Sequence, residues 1–74
     1  MSPEKLVMMA NQISRFFAHR GPEQAPRDVA DHLRKFWEPR MRREIVAHWE
    51  KGGEGLDPFA KAAVALLAKE MNPA

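Results

Sequence analysis

The chain has 74 residues, no cysteine and a net charge of +2, from 12 Lys and Arg residues against 10 Asp and Glu residues. This length suits a single domain over residues 1–74, and the absence of cysteine excludes disulfides and thiolate metal sites. The near-neutral charge argues against a general nucleic-acid-binding composition. Because no apolar run reaches about 18 residues and no secretory signal opens the chain, we expect a soluble cytoplasmic protein without a membrane segment.

The first helix is predicted to begin after Ser2, which suits the N-cap, with Pro3 at the first helical position. We expect it to run to about Arg20, where Gly21-Pro22 ends it. Its core face comprises Leu6, Ala10, Ile13 and Phe17. No segment shows the two-residue alternation of a strand, so the sequence predicts an all-α fold, a small single-domain bundle of about four short helices.

The apolar stripe of this first helix is broader than a small bundle needs. Met9 and Phe16 widen the core face on one side, and Met8 lies nearly opposite to it. We therefore take Met8 and Phe16 as candidates for contact with a partner.

The second helix is predicted to start around Pro26, after the turn-like GPEQAP, and to end near Trp37. The spacing i, i+4, i+7, i+8 indicates one buried face along it. That face comprises Val29, Leu33, Phe36 and Trp37.

A third helix should begin at Pro39, because proline disfavours helical geometry at the preceding Glu38. Its first turn then carries Arg40, Arg42 and Arg43, at a helix end where each cation is disfavoured by about 0.3 to 1 kcal/mol. We expect acidic groups to compensate these arginines. The helix should run to about Lys51 and end at Gly52-Gly53. Its predicted buried face comprises Met41, Ile45, His48 and Trp49.

The fourth helix should start at Asp57-Pro58, an N-cap followed by a first-turn proline, and run through FAKAAVALLAKEM. It is apolar almost all the way round. A chain of this size has little protein with which to cover such a helix on every side, so we expect it to contact another chain.

The sequence offers no recognisable catalytic or metal-binding pattern. His19, His32 and His48 are far apart and lack the spacing of a ligand pair such as His-Glu-x-x-His. The loop from Gly52 to Pro58 follows a helix and lacks the ending of a phosphate-binding loop. We expect no catalytic residue, no metal ligand and no cofactor-binding residue in this chain.

Three interpretations of the arginine cluster, which comprises Arg40, Arg42 and Arg43, remain open. It forms a solvated face or pairs within the chain with Asp28, Asp31 or Glu44. It pairs with carboxylates of a protein partner, with Trp37 or Trp49 as the aromatic anchor. It holds phosphates of nucleic acid or of a nucleotide. The net charge favours a protein partner over nucleic acid.

Three blocks of the sequence, in order, carry a family resemblance: KLVMMANQISRFF, HLRKFWEPRMRREIVAH and GGEGLDPFAKAAVALL. Together they resemble the delta subunit of cytoplasmic, NAD-dependent, molybdenum-containing formate dehydrogenases. The most specific marks are the run Met9 to Ile13 with Phe16-Phe17, the segment from Phe36 to Arg42, and Gly55 to Pro58.

The resemblance implies an accessory subunit without cofactors of its own. In such complexes the alpha subunit carries a molybdenum bis-pterin guanine dinucleotide and iron–sulfur clusters and oxidises formate to carbon dioxide. The beta and gamma subunits carry flavin and further clusters that pass electrons to NAD. The delta subunit would support assembly, stability or cofactor loading.

We therefore expect a non-catalytic subunit that docks on the alpha subunit through the arginine cluster and the surplus apolar surface. The alternative is a small nucleic-acid-binding helical domain that uses Pro39 to His48 as its reading helix. A third interpretation is self-association of the isolated chain through the same apolar surface.

Overall fold

The computed structural model describes residues 2–71, and within that range it contains helices and no strand. Four α-helices are present: α1 (Pro3–Phe17), α2 (Gly21–Phe36), α3 (Pro39–Glu50) and α4 (Pro58–Met71). A 3₁₀ turn, Ala18–Arg20, joins α1 to α2. The predicted all-α bundle of about four short helices is confirmed.

The first helix begins as its sequence predicts and ends earlier. The side-chain oxygen of Ser2 accepts a hydrogen bond from the backbone N–H of Lys5 at 3.3 Å, so Ser2 is the N-cap. The α-helical part ends at Phe17, three residues before the predicted Arg20, because the chain tightens into the 3₁₀ turn.

The prediction that α2 starts around Pro26 was wrong, since the helix already begins at Gly21. Gly21 has a φ of +92°, which lets the chain reverse at this point. Pro22 fits the first turn because the N–H groups of that turn need no helical partner. Pro26 lies inside α2 and is buried. Gly21-Pro22 therefore both ends one helix and starts the next.

One core joins all four helices, and α2 and α4 pack on each other most extensively. Its fully buried large side chains are Leu6, Leu33, Ile45, Leu67, Val29 and Val64. Ile13, Phe17, Met41 and Trp49 are partly buried against this core. Phe36 was predicted to be buried and is 71% exposed, whereas its neighbour Trp37 is only 6% exposed.

The fourth helix is covered largely by its own chain. Its buried residues are Ala60, Ala63, Val64, Leu67 and Ala68. Of its larger apolar side chains, Leu66 is 37% exposed and Met71 is 39% exposed. The remaining exposed positions carry proline, alanine, lysine or glutamate. Contact of α4 with another chain stays a prediction, but the coverage by α2 and α3 weakens the argument for it.

A set of hydrogen bonds between α1 and the start of α4, which we call the cap network, fixes how these helices meet. Asp57 Oδ1 accepts from the backbone N–H of Ala60 at 2.8 Å, which confirms Asp57 as the N-cap. The same oxygen accepts from the hydroxyl of Ser14 at 2.7 Å. The amide of Asn11 donates to the Gly55 carbonyl at 2.9 Å and accepts from the Asp57 N–H at 2.9 Å. The cap network therefore joins two of the segments that carry the family resemblance.

Candidate partner-binding surface

The break before α3 lies where the sequence predicts it. Glu38 is extended, with φ −63° and ψ 151°, and α3 starts at Pro39. The first turn of α3 contains Arg40 and Arg42 and no acidic residue, with Arg43 directly following in the helix. Cations therefore lie at the positive end of α3, where they are electrostatically unfavourable.

Within the chain, the hydrogen-bond partner of Arg42 is a backbone carbonyl, and an acidic partner for the arginines stays a prediction. The guanidinium Nη1 of Arg42 donates to the carbonyl oxygen of Arg34 at 3.0 Å. That carbonyl belongs to the last turn of α2, where carbonyls lack helical partners and carry the negative end of the helix dipole. Arg42 thus links the end of α2 to the start of α3.

Asp28, one of the acids considered for the arginine cluster, is engaged elsewhere. Its carboxylate accepts hydrogen bonds from the Gln24 amide at 2.9 Å and from Arg20 Nε at 2.8 Å. These hydrogen bonds, the one from Gln24 first, hold the pKa of Asp28 below its usual value.

The lowered pKa of Asp28 predicts that the stability of the fold depends on pH. A carboxyl group whose pKa is lowered by folding stabilises the fold above its usual pKa and loses that contribution as the pH falls through the folded-state pKa. We expect an NMR titration to place the Asp28 midpoint below the usual aspartate value and the Arg20→Gln variant to raise it. Identical midpoints in the two proteins would contradict the role of Arg20.

The second acid, Asp31, is also engaged along α2. It contacts Lys35 Nζ at 3.0 Å and Arg34 Nη1 at 3.3 Å. Arg34 in turn reaches across to Glu70 of α4, with Nη2 and Oε2 3.0 Å apart. Within residues 2–71, no ion pair joins Arg40 or Arg43 to an acid of the chain, Glu44 included. Both arginines are exposed.

A groove of about 330 Å³ lies beside Arg42 and Arg43, between the start of α3 and the end of α4. It is lined by Arg34, Pro39, Arg42, Arg43, Leu67, Glu70 and Met71. We call it the basic groove. Its one acidic lining residue, Glu70, is already paired with Arg34. The basic groove therefore suits a carboxylate or another anionic group.

The two tryptophans differ in accessibility. Trp37 is 6% exposed and belongs to the core, so its interpretation as a surface anchor was wrong. The cause is that Trp37 continues the buried face of α2 four residues after Leu33, and its backbone N–H still donates to the Leu33 carbonyl at 3.0 Å. Trp49 is half-buried against the core and keeps part of its surface accessible.

The apolar candidates of α1 are exposed, as a partner contact requires. Met8 is 58% exposed and Phe16 is 71% exposed. Phe16 also begins a row of rings that crosses from α1 to α2, which we call the aromatic ladder. Its ring centroids are separated by 5.0 Å from Phe16 to Phe17, 6.1 Å from Phe17 to His32, and 4.7 Å from His32 to Phe36.

The sequence did not predict the aromatic ladder. Phe36 was assigned to the core and His32 to no group, although their spacing of four residues places them on one side of a helix. The spacing was the available signal. His48 contacts the carbonyl oxygen of Glu54 through Nε2 at 2.7 Å.

Three further observations concern other classes of function. Among the described residues 2–71, no group of three or more His, Asp or Glu side chains is arranged to hold a metal ion. No helix in the same range is long and apolar enough to cross a bilayer. The exposed side of α3 carries Glu50 as well as Arg40 and Arg43, so it is not a continuous basic stripe.

Comparison with known proteins gives one match. The family model for the NADH-dependant formate dehydrogenase delta subunit FdsD matches residues 5–64. No curated protein and no solved structure matches the chain. The matched range covers most of the chain and includes nearly all of α1, the whole of α2 and α3, and the start of α4. The protein therefore belongs to the family of formate dehydrogenase delta subunits.

Proposed function

We propose that this chain is a non-catalytic accessory subunit of a cytoplasmic NAD-dependent formate dehydrogenase and that it binds the molybdenum-containing alpha subunit. Family membership supports a place in a formate dehydrogenase complex. Binding would support assembly, stability or cofactor loading of the alpha subunit. The molybdenum bis-pterin guanine dinucleotide, iron–sulfur clusters, flavin and NAD would be held by the other subunits.

The observation that carries this proposal is the pair of exposed arginines at the start of α3. Arg40 and Arg43 have no acidic partner within residues 2–71, and they lie at the positive end of a helix. Carboxylates on a second protein would relieve this unfavourable arrangement. Arginine suits such contacts, because its planar guanidinium binds a carboxylate through two parallel hydrogen bonds.

The basic groove offers a concave binding site for a carboxylate of the partner. A partner carboxylate that enters it meets Arg42 and Arg43 in a groove that is also lined by the apolar side chains of Pro39 and Leu67. Partial removal of water in such a groove strengthens the charge interaction compared with an ion pair in open solvent. The groove thus determines where the partner carboxylate binds, in addition to attracting it by charge.

The test is co-expression of the tagged chain with the alpha subunit, followed by measurement of the dissociation constant. We expect the Arg40→Glu/Arg43→Glu variant to bind at least about tenfold more weakly, which corresponds to about 1.4 kcal/mol. Arg42 is left unchanged because it holds the end of α2. The loss should grow smaller as salt screens the wild-type interaction.

The matched control is Arg27→Glu/Lys61→Glu, which makes the same change in charge at exposed positions elsewhere. It should bind the alpha subunit almost as the wild type does. Equal affinities of the wild type and the Arg40→Glu/Arg43→Glu variant would contradict the proposed contact. Recovery of the beta or gamma subunit without the alpha subunit would contradict the proposed partner.

A further inference from the structure

The aromatic ladder is a second exposed feature, and the arginine contact does not use it. Its inner rings, Phe17 and His32, are half-buried between α1 and α2, whereas its outer rings, Phe16 and Phe36, are each 71% exposed. Exposed phenylalanine is unfavourable in water and is enriched where proteins bind each other. A row of such rings across two helices therefore indicates a contact surface.

Internal packing does not account for the outer rings. Phe36 is the last residue of α2, and the neighbouring Trp37 already fills the core at this end. Phe16 touches the ladder through one edge-to-face contact with Phe17, at an interplanar angle of 87°. Most of the surface of both rings remains available to another molecule.

The charges beside the ladder indicate what kind of molecule. Two exposed arginines lie near the outer rings in the chain: Arg15 precedes Phe16, and Arg40 follows Phe36 by four residues. Lys35 precedes Phe36 and is paired with Asp31. Glu38 is the one acid in these stretches. In a symmetric dimer the same patch meets its own copy, so the cations would oppose one another. A surface with acidic groups around an apolar centre is complementary.

We propose that the aromatic ladder is the apolar centre of the interface with the alpha subunit and that it packs into an apolar groove with an acidic rim. This inference rests on the proposed function. It adds that Phe16 and Phe36 contribute more to affinity than the arginines, because fully desolvated aromatic side chains near the centre of an interface dominate binding. The ladder and the basic surface at the start of α3 would then form one continuous interface.

The test measures binding of the full chain to the alpha subunit after Phe16→Ser, Phe36→Ser and both changes together. We expect each single variant to bind at least tenfold more weakly and the double variant to lose nearly all recovery. Melting temperatures should stay close to that of the wild type, because both side chains are mostly exposed. Leu66→Ser, an exposed apolar residue in the groove between α2 and α4, is the matched control and should bind normally.

The outcomes separate this inference from the proposed function. Unchanged binding by the folded double variant would overturn the role of the ladder and leave the arginine contact standing. Failure of the wild-type chain to bind the alpha subunit would overturn both. If sedimentation shows a wild-type dimer that the double variant loses, while binding to the alpha subunit is unchanged, the ladder contacts a second copy and the inference is wrong.

Discussion

Replacing Trp37 by alanine is expected to lower the free energy of unfolding by about 3 to 5 kcal/mol. The indole is 6% exposed and lies in the core that joins all four helices. Its removal leaves a cavity at the end of α2 that the surrounding side chains fill only in part. A typical domain is stable by only about 5 to 15 kcal/mol, and a small one buries less surface, so a large share of stability should be lost.

Urea unfolding followed by circular dichroism measures this change, and fluorescence of the remaining Trp49 gives a second probe. Phe36→Ala is the control, because it removes the adjacent aromatic side chain from an exposed position. It should change stability by no more than about 0.5 kcal/mol. A Trp37→Ala variant as stable as Phe36→Ala would contradict the placement of the indole in the core.

Local signals in the sequence were enough to predict much of the fold. Ser2 and Asp57 are followed by proline at the first helical position, and both act as N-caps in the structure. The Glu38-Pro39 pair separates α2 from α3 as predicted. These features depend on a few neighbouring residues and on backbone geometry, so a sequence carries them directly.

The adjacent residues Phe36 and Trp37 show that a local sequence pattern does not predict the burial of every side chain. On a helical wheel both lie near the buried face of α2, so the sequence placed both in the core. Which of them is covered depends on where the helix ends and on how the next helix packs, and those are tertiary features. Trp37 stays on the buried face, four residues after Leu33 and with its N–H bonded to the Leu33 carbonyl, whereas the ring of Phe36 lies at the edge of that face and is left uncovered.

The contacts of the candidate site were partly beyond the sequence for the same reason. The positions and exposure of Arg40 and Arg43 follow from the start of α3, which was predicted. The bond from Arg42 to the Arg34 carbonyl depends on the angle between two helices. The spacing of His32 and Phe36 indicates a shared helix face, but the contact of His32 with Phe17 depends on the crossing of α1 and α2, which no local pattern encodes.

Asn11 and Ser14 give a further example with consequences for stability. Neither residue type favours the interior of a helix, and the sequence offered no role for them. In the structure they reach residues more than 40 positions away, at the start of α4. The cap network therefore explains why two segments that carry the family resemblance contain polar residues that are not part of the proposed interface.

Replacing Asp57 by alanine is expected to lower the free energy of unfolding by about 2 to 4 kcal/mol. The change removes the N-cap of α4, and it leaves the buried hydroxyl of Ser14 without its acceptor. Asp57→Asn keeps an oxygen in the same place and should cost about 1 kcal/mol, because it loses only the charge of the acceptor. Urea unfolding of the three proteins measures these differences.

A double-mutant cycle with Ser14→Ala separates the two contributions. If the unpaired hydroxyl of Ser14 accounts for most of the lost stability, Asp57→Ala should lower the free energy of unfolding less in the Ser14→Ala background than in the wild type, by about 1 kcal/mol or more. Strict additivity would show that the hydrogen bond between the two side chains contributes nothing. Because Asp57 belongs neither to the arginine cluster nor to the aromatic ladder, folded Asp57→Ala protein should bind the alpha subunit with wild-type affinity. Its effect on the complex should then appear only as a smaller amount of folded chain.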